Sequence, residues 1–79
     1  MSDPSAPFAV IDARGHHCPV PTLKLQKQMR HTASGAVVVL IADDPMAQID
    51  VPHFCSQNNY LLQSTESFGT GWRFEIVRP

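Results

Sequence analysis

The chain has no excess of basic residues: six Lys and Arg face seven Asp and Glu, for a formal net charge of −1. Nucleic-acid-binding domains usually carry a strong basic surplus, so direct nucleic-acid recognition is not expected. No stretch approaches the roughly 18 apolar residues of a membrane-spanning helix, and no basic segment followed by an apolar one opens the chain as a secretion signal would. A membrane association is therefore not expected either. Cysteine is scarce, at two in 79 residues, and Cys18 and Cys55 lie in separate segments. Nothing here resembles a disulfide framework, and a cytoplasmic thiol protein is the simpler expectation. Metal-ligand spacing is missing as well. A zinc site can be sketched from His16, His17 and Cys18 with His53 and Cys55, but neither C-x-x-C nor H-x₃₋₅-H occurs. Adjacent Asp43 and Asp44 do not converge easily on one point, so no metal is assigned.

What is present suffices for one small domain, near the size at which a single core is only marginally adequate; 43% of its 79 residues are hydrophobic. Residues 1–7, with two prolines, two serines and an aspartate, read as a flexible leader, and residues 8–79 as the domain. The short apolar run Phe8 to Ile11 is strand-like and ends at Asp12. A helix follows from Pro19 to about His31, stopped by Thr32-Ala33-Ser34-Gly35. The β-branched run Ala36 to Ala42 has the character of a central strand, covered on part of both faces. A helix between two such strands predicts a parallel βαβ unit.

Asp44 as N-cap and Pro45 at N1 mark a second helix, reaching about Asn58. Pro52 falls inside it, so the helix either continues through a kink there or starts near Asp50; the first is preferred. Phe54 is expected to anchor this helix on the sheet, and Cys55 to behave as a small buried hydrophobe. Tyr60 to Thr65 and Trp72 to Val77 give two further strands, joined by a hairpin connection from Ser67 to Gly71. Trp72, Phe74 and Ile76 form one apolar alternating face.

The chain is organised around Asp12-Ala13-Arg14-Gly15-His16-His17-Cys18-Pro19-Val20-Pro21. Proline is tolerated in the first turn of a helix, where the N–H it lacks would have no intrahelical partner. With Cys18 at the N-cap, Pro19 and Pro21 take N1 and N3, and the remaining first-turn donors are the N–H groups of Val20 and Thr22. A thiolate there would feel the positive helix end, which lowers a cysteine pKa. Gly15 suits the turn from strand to helix, and Asp12 can bond to backbone N–H groups within it. Arg14, Lys24, Lys27 and Arg30 would give the thiol a positive surround able to attract an acidic partner. His16 and His17 could stabilise a thiolate when protonated.

Asp-x-x-Gly-x-x-Cys-Pro-x-Pro, read from Asp12 to Pro21, resembles the signature of the TusA/SirA-like family of small sulfur-carrier proteins. The similarity continues through Lys24 and resumes at Ala42-Asp43-Asp44-Pro45 and Asp50-Val51-Pro52-x-Phe54-Cys55. It departs at His16, where the family usually has leucine, and at Asn59-Tyr60, where many relatives have Gly-His. The resemblance implies a two-layer α/β sandwich in β-α-β-α-β-β order, with two helices on one face of a four-stranded mixed sheet. It implies a persulfide carried on Cys18, taken from a donor such as a cysteine desulfurase or rhodanese-like protein and handed to an acceptor protein, with no cofactor. The destinations it suggests are tRNA thiolation, molybdenum-cofactor synthesis or sulfur oxidation. Two other functions fit the residues. One is a noncatalytic interaction or regulatory module in which Cys18 to Pro21 merely starts a helix; the other is a thiol-disulfide protein using Cys18 and Cys55.

Overall fold

The computed structural model describes residues 8–79, and the expected leader at residues 1–7 lies outside them. Strand β1 (Ala9–Asp12) leads to helix α1 (Val20–Met29), strand β2 (Val37–Ala42) and helix α2 (Ala47–Gln57). Strands β3 (Leu61–Phe68) and β4 (Gly71–Val77) complete a single sheet in the order β1-β2-β4-β3. The β1–β2 pair is parallel, whereas β4 runs antiparallel to both β2 and β3, so the sheet is mixed. This is the two-layer α/β arrangement expected.

Alternation along the strands decides which side the helices cover. Val38, Leu40 and Ala42 of β2 and Phe74 and Ile76 of β4 point one way into the core. There they meet Leu25 and Met29 from α1, and Val51, Phe54 and Cys55 from α2. Pro21, Leu25 and Met29 recur every four residues, as do Ala47, Val51 and Cys55, which gives each short helix one buried stripe. Each large aliphatic or aromatic side chain buried this way contributes about 1.5–3 kcal/mol relative to exposure. On the sheet's other face Val39 and Ile41 are also buried. Val39 sits in register between Val10 and Glu75, and Ile41 between Asp12 and Arg73, whose guanidinium pairs with Glu75 at 2.6 Å.

Several boundaries differ from the sequence expectations. Helix α1 ends at Met29, two residues before the expected His31; beyond it Thr32 is buried and its hydroxyl donates to the Gln28 carbonyl at 2.8 Å, turning the chain toward β2. Helix α2 does continue through Pro52, but it begins at Ala47, with Met46 rather than Asp44 at the N-cap. It closes with Asn59 at φ 58, and Tyr60 N–H donates to the Cys55 carbonyl at 2.9 Å, a Schellman-type end. The Phe54 and Tyr60 rings, 5.7 Å apart, supply its apolar contact. Strand β3 runs to Phe68 rather than Thr65, because Glu66, Ser67 and Phe68 pair with Arg73, Trp72 and Gly71. The hairpin connection is therefore only Gly69 and Thr70.

Candidate functional site

The parallel pair β1–β2 brings both strand ends to one edge of the sheet, where the Cys18 segment meets the Asp43-Asp44 segment. The ladder ends as the buried Ala13 donates its N–H to the Ile41 carbonyl at 2.8 Å. Asp12 then holds the next turn. Its carboxylate accepts from the Arg14 backbone N–H at 3.2 Å, Nε at 2.9 Å and Nη2 at 2.6 Å. Those bonds hold the Asp12 carboxyl down at about 2. The Arg14 guanidinium also lies 5.7 Å from the centre of the Phe68 ring, tying the turn to the β3–β4 hairpin.

Two aspartates from the β2–α2 connection fasten the rest of the loop. Gly15, at φ 84, donates its N–H to Asp43 Oδ1 at 3.0 Å. The Cys18 backbone N–H donates to Asp44 Oδ2 at 2.9 Å, and the exposed His17 places Nδ1 3.5 Å from the same oxygen. The other oxygen of Asp44 accepts the Met46 N–H at 2.9 Å. Asp44 thus gives a cap-like bond one turn before α2 and spends its second oxygen on the cysteine loop. The Met46 and Cys18 N–H groups hold its carboxyl below the ordinary range.

Cys18 is not the N-cap of α1. A turn closes from His17 to Val20, with the Val20 N–H on the His17 carbonyl at 3.0 Å and the Cys18–Pro19 peptide cis. The cap position passes to Pro19, Val20 becomes the first helical residue, and the first helical bond runs from the Leu23 N–H to the Pro19 carbonyl at 2.9 Å. Pro21 falls at the second helical position rather than the third, and its ring packs into the core.

The thiol is partly buried and its pKa is raised, to about 11, not lowered. Burial is the main cause, followed by the Asp50 carboxylate and by Asp44. The neighbouring Thr22 hydroxyl acts the other way, lowering the pKa. The expected positive surround is absent at the thiol. Arg14 is committed to Asp12, and Lys24, Lys27 and Arg30 lie exposed along α1 without offsetting the carboxylates there. His16 is exposed too. Asp50, expected only to support a helix, instead acts on the thiol from the first turn of α2 more strongly than Asp44 does.

A groove of about 250 Å³ runs from this point between α1 and α2, lined by Pro19, Thr22, Asp50, His53, Phe54 and Gln57. Near the two helix starts, Val20 and Leu23 on α1 and Met46 and Ile49 beside α2 are exposed apolar residues. Cys55 lies away from the groove, 2% exposed and packed in the core, where burial pushes its thiol up to about 11. Both cysteines are free. Among the described residues no three His, Cys, Asp or Glu side chains come together to hold a metal, and no helix is long and apolar enough to cross a membrane.

Comparison with known proteins agrees with this arrangement. Residues 9–78 match the family model described as sulfurtransferase TusA. The sulfur carrier protein TusA of Pseudomonas putida strain GB-1 is 42% identical over 65 residues, covering 81% of each chain. That of strain W619 is 40% identical over the same length and coverage. The crystal structure of a SirA-like protein from Desulfitobacterium hafniense shares the fold with a TM-score of 0.76 at 20% identity, over 89% of this chain and 95% of that one.

Proposed function

The chain belongs to the TusA sulfurtransferase family, and from that premise we propose that it is a sulfur carrier, loaded as a persulfide on Cys18, that works between a donor protein and an acceptor protein in the cytoplasm. The observation that carries the assignment to Cys18 is its placement. It sits part-buried next to Pro19, which lines the groove between α1 and α2, with its backbone fixed by Asp44, while Cys55 is enclosed in the core.

Loading is an exchange with no net oxidation. Cys18 gives up its proton, and Sγ attacks the terminal sulfur of the donor's persulfide. A new S–S bond forms, the donor's S–S bond breaks, and the electron pair leaves on the donor sulfur, which takes up a proton. Delivery repeats the exchange, with the acceptor as nucleophile and Cys18 as the leaving thiol. Rates follow thiolate fraction, leaving-group quality and access. A raised thiol pKa lowers the thiolate fraction and makes the thiol a poorer leaving group, which slows both steps relative to an ordinary thiol. Docking of a partner on the exposed apolar residues near the two helix starts, with positive charge that compensates Asp50, would lower both barriers. Candidate donors are cysteine desulfurases and rhodanese-like proteins.

Exposing the folded protein to a persulfide donor and measuring the intact mass and peptide map tests this. One added sulfur is expected on Cys18, lost in Cys18→Ser and kept in Cys55→Ser. A folded protein that acquires no sulfur, or acquires it on Cys55, would overturn the assignment and favour an interaction module.

A further inference from the structure

The groove between α1 and α2 holds a polar atom that its neighbours leave unsatisfied. Thr22 Oγ1 is shielded from solvent and has no hydrogen-bond partner. Buried hydroxyls normally have one, and a helical threonine has a ready acceptor in the carbonyl four residues back. Thr32 takes that option, donating to the Gln28 carbonyl at 2.8 Å. Thr22 does not: Cys18, four residues back, lies before the Pro19 cap and outside the helix. Its hydroxyl stands instead beside the Cys18 sulfur. A thiol sulfur is a weak acceptor, so the contact leaves the donor largely unspent.

We infer that Thr22 is a positioning residue for the loaded carrier: its hydroxyl donates to the terminal sulfur of a Cys18 persulfide and seats that sulfur in the groove between α1 and α2. The inference rests on Cys18 being the sulfur-bearing residue. A persulfide anion carries its charge mainly on the terminal atom, one S–S bond of about 2.05 Å beyond Sγ, and a charged acceptor makes the stronger hydrogen bond. The groove, at about 250 Å³, has ample room for one more atom. An anion there needs a donor, because Asp50 from α2 and Asp44 from the β2–α2 connection both face the thiol with negative charge. His53 on the groove wall and His17 beside Asp44 are the groups able to carry positive charge nearby, and both belong to exposed, solvated residues. The Thr22 hydroxyl is dry and has no other commitment.

The test uses the full chain loaded with inorganic polysulfide, its persulfide then alkylated with iodoacetamide across a pH series. Thr22→Val keeps the shape of the side chain and removes the donor; Thr22→Ala removes it with less bulk; Thr22→Ser retains it. A charge-assisted hydrogen bond is worth about tenfold in the equilibrium it biases. Below the midpoint the persulfide of Thr22→Val or Thr22→Ala should react about tenfold more slowly than wild type. The midpoint should move up by about one pH unit, and Thr22→Ser should restore it. The unloaded thiol should shift less, since its sulfur accepts poorly. Superimposable persulfide profiles for wild type and whichever hydroxyl-free variant folds would overturn the inference. So would equal shifts of persulfide and thiol, which would make the hydroxyl a feature of the helix start alone. A wild-type protein that takes up no sulfur on Cys18 defeats the proposed function and this inference together; normal loading with unchanged profiles defeats this inference alone.

Discussion

Replacing Gly71 with alanine should destabilise the fold and disturb the thiol loop from the far side of the sheet. Gly71 opens β4 next to the end of β2, and an added Cβ would stand 2.3 Å from the Ala42 carbonyl oxygen and 2.6 Å from Asp43 Cα. Real Cβ atoms stay beyond 3.0 Å, and both neighbours are backbone, so neither can rotate away. Overpacking typically costs about 1–3 kcal/mol, and clashes with two backbone atoms belong at the upper end, about 3 kcal/mol. A domain of this size has a total stability on the order of 4–12 kcal/mol, so the loss is a large share of it. Urea unfolding should show a lower midpoint with unchanged slope, and a Tm lower by roughly 12–24 °C. Gly69→Ala is the control: its φ of 59 is unfavourable for alanine but nothing lies within 4 Å, so it should cost only about 1 kcal/mol. The clash also pushes on Asp43, whose carboxylate holds Gly15, and through the next residue on Asp44, which holds Cys18. Alkylation of Cys18 should therefore change in Gly71→Ala and stay as in wild type in Gly69→Ala. A Gly71→Ala protein within about 0.5 kcal/mol of wild type would refute the close approach of β4 to β2.

Other consequences follow from the site. In the unloaded protein, Cys18 alkylation should rise with pH toward a midpoint of about 11, and Asp50→Asn should lower that midpoint and speed the reaction near neutrality; an unchanged profile would remove Asp50 from the thiol's surroundings. Asp12, held at about 2 by Arg14, should titrate there by carboxyl NMR and move toward 3.8 in Arg14→Gln. Because its folded pKa is depressed, its contribution to the fold is present above the ordinary carboxylate range and is lost as the pH falls through about 2. Cys55, 2% exposed, should resist alkylation in the native protein and react once urea unfolds it; reaction at the rate of Cys18 would contradict its burial.

Element type was legible where one physical signal dominated. The run Val37 to Ala42 is β-branched and apolar enough to demand the sheet's centre, and the paired prolines at 19 and 21 suit a helix start. Trp72, Phe74 and Ile76 declared the inner face of β4 by alternation alone. Strand β3 was underestimated because Glu66 and Ser67 have no strand-like composition; their conformation comes from pairing with Arg73 and Trp72. Placing Asp44 at the N-cap of α2 followed a sound local rule that lost to a tertiary demand, since the same carboxylate also takes the Cys18 N–H from 26 residues away.

The residue types at the site, the burial of Cys55 and the order of the elements were written in the sequence through composition, periodicity and short spacings, and the family through the resemblance of its motifs. The sign of the field at Cys18 was not. A helix start and a nearby run of basic residues suggested a low pKa, but Coulomb interactions follow distance through space rather than along the chain. Folding carries Asp44 and Asp50 to the thiol, commits Arg14 to Asp12 and leaves Lys24, Lys27 and Arg30 out along the helix. It also shields the Thr22 hydroxyl from solvent, in a groove that only the placing of α1 beside α2 creates.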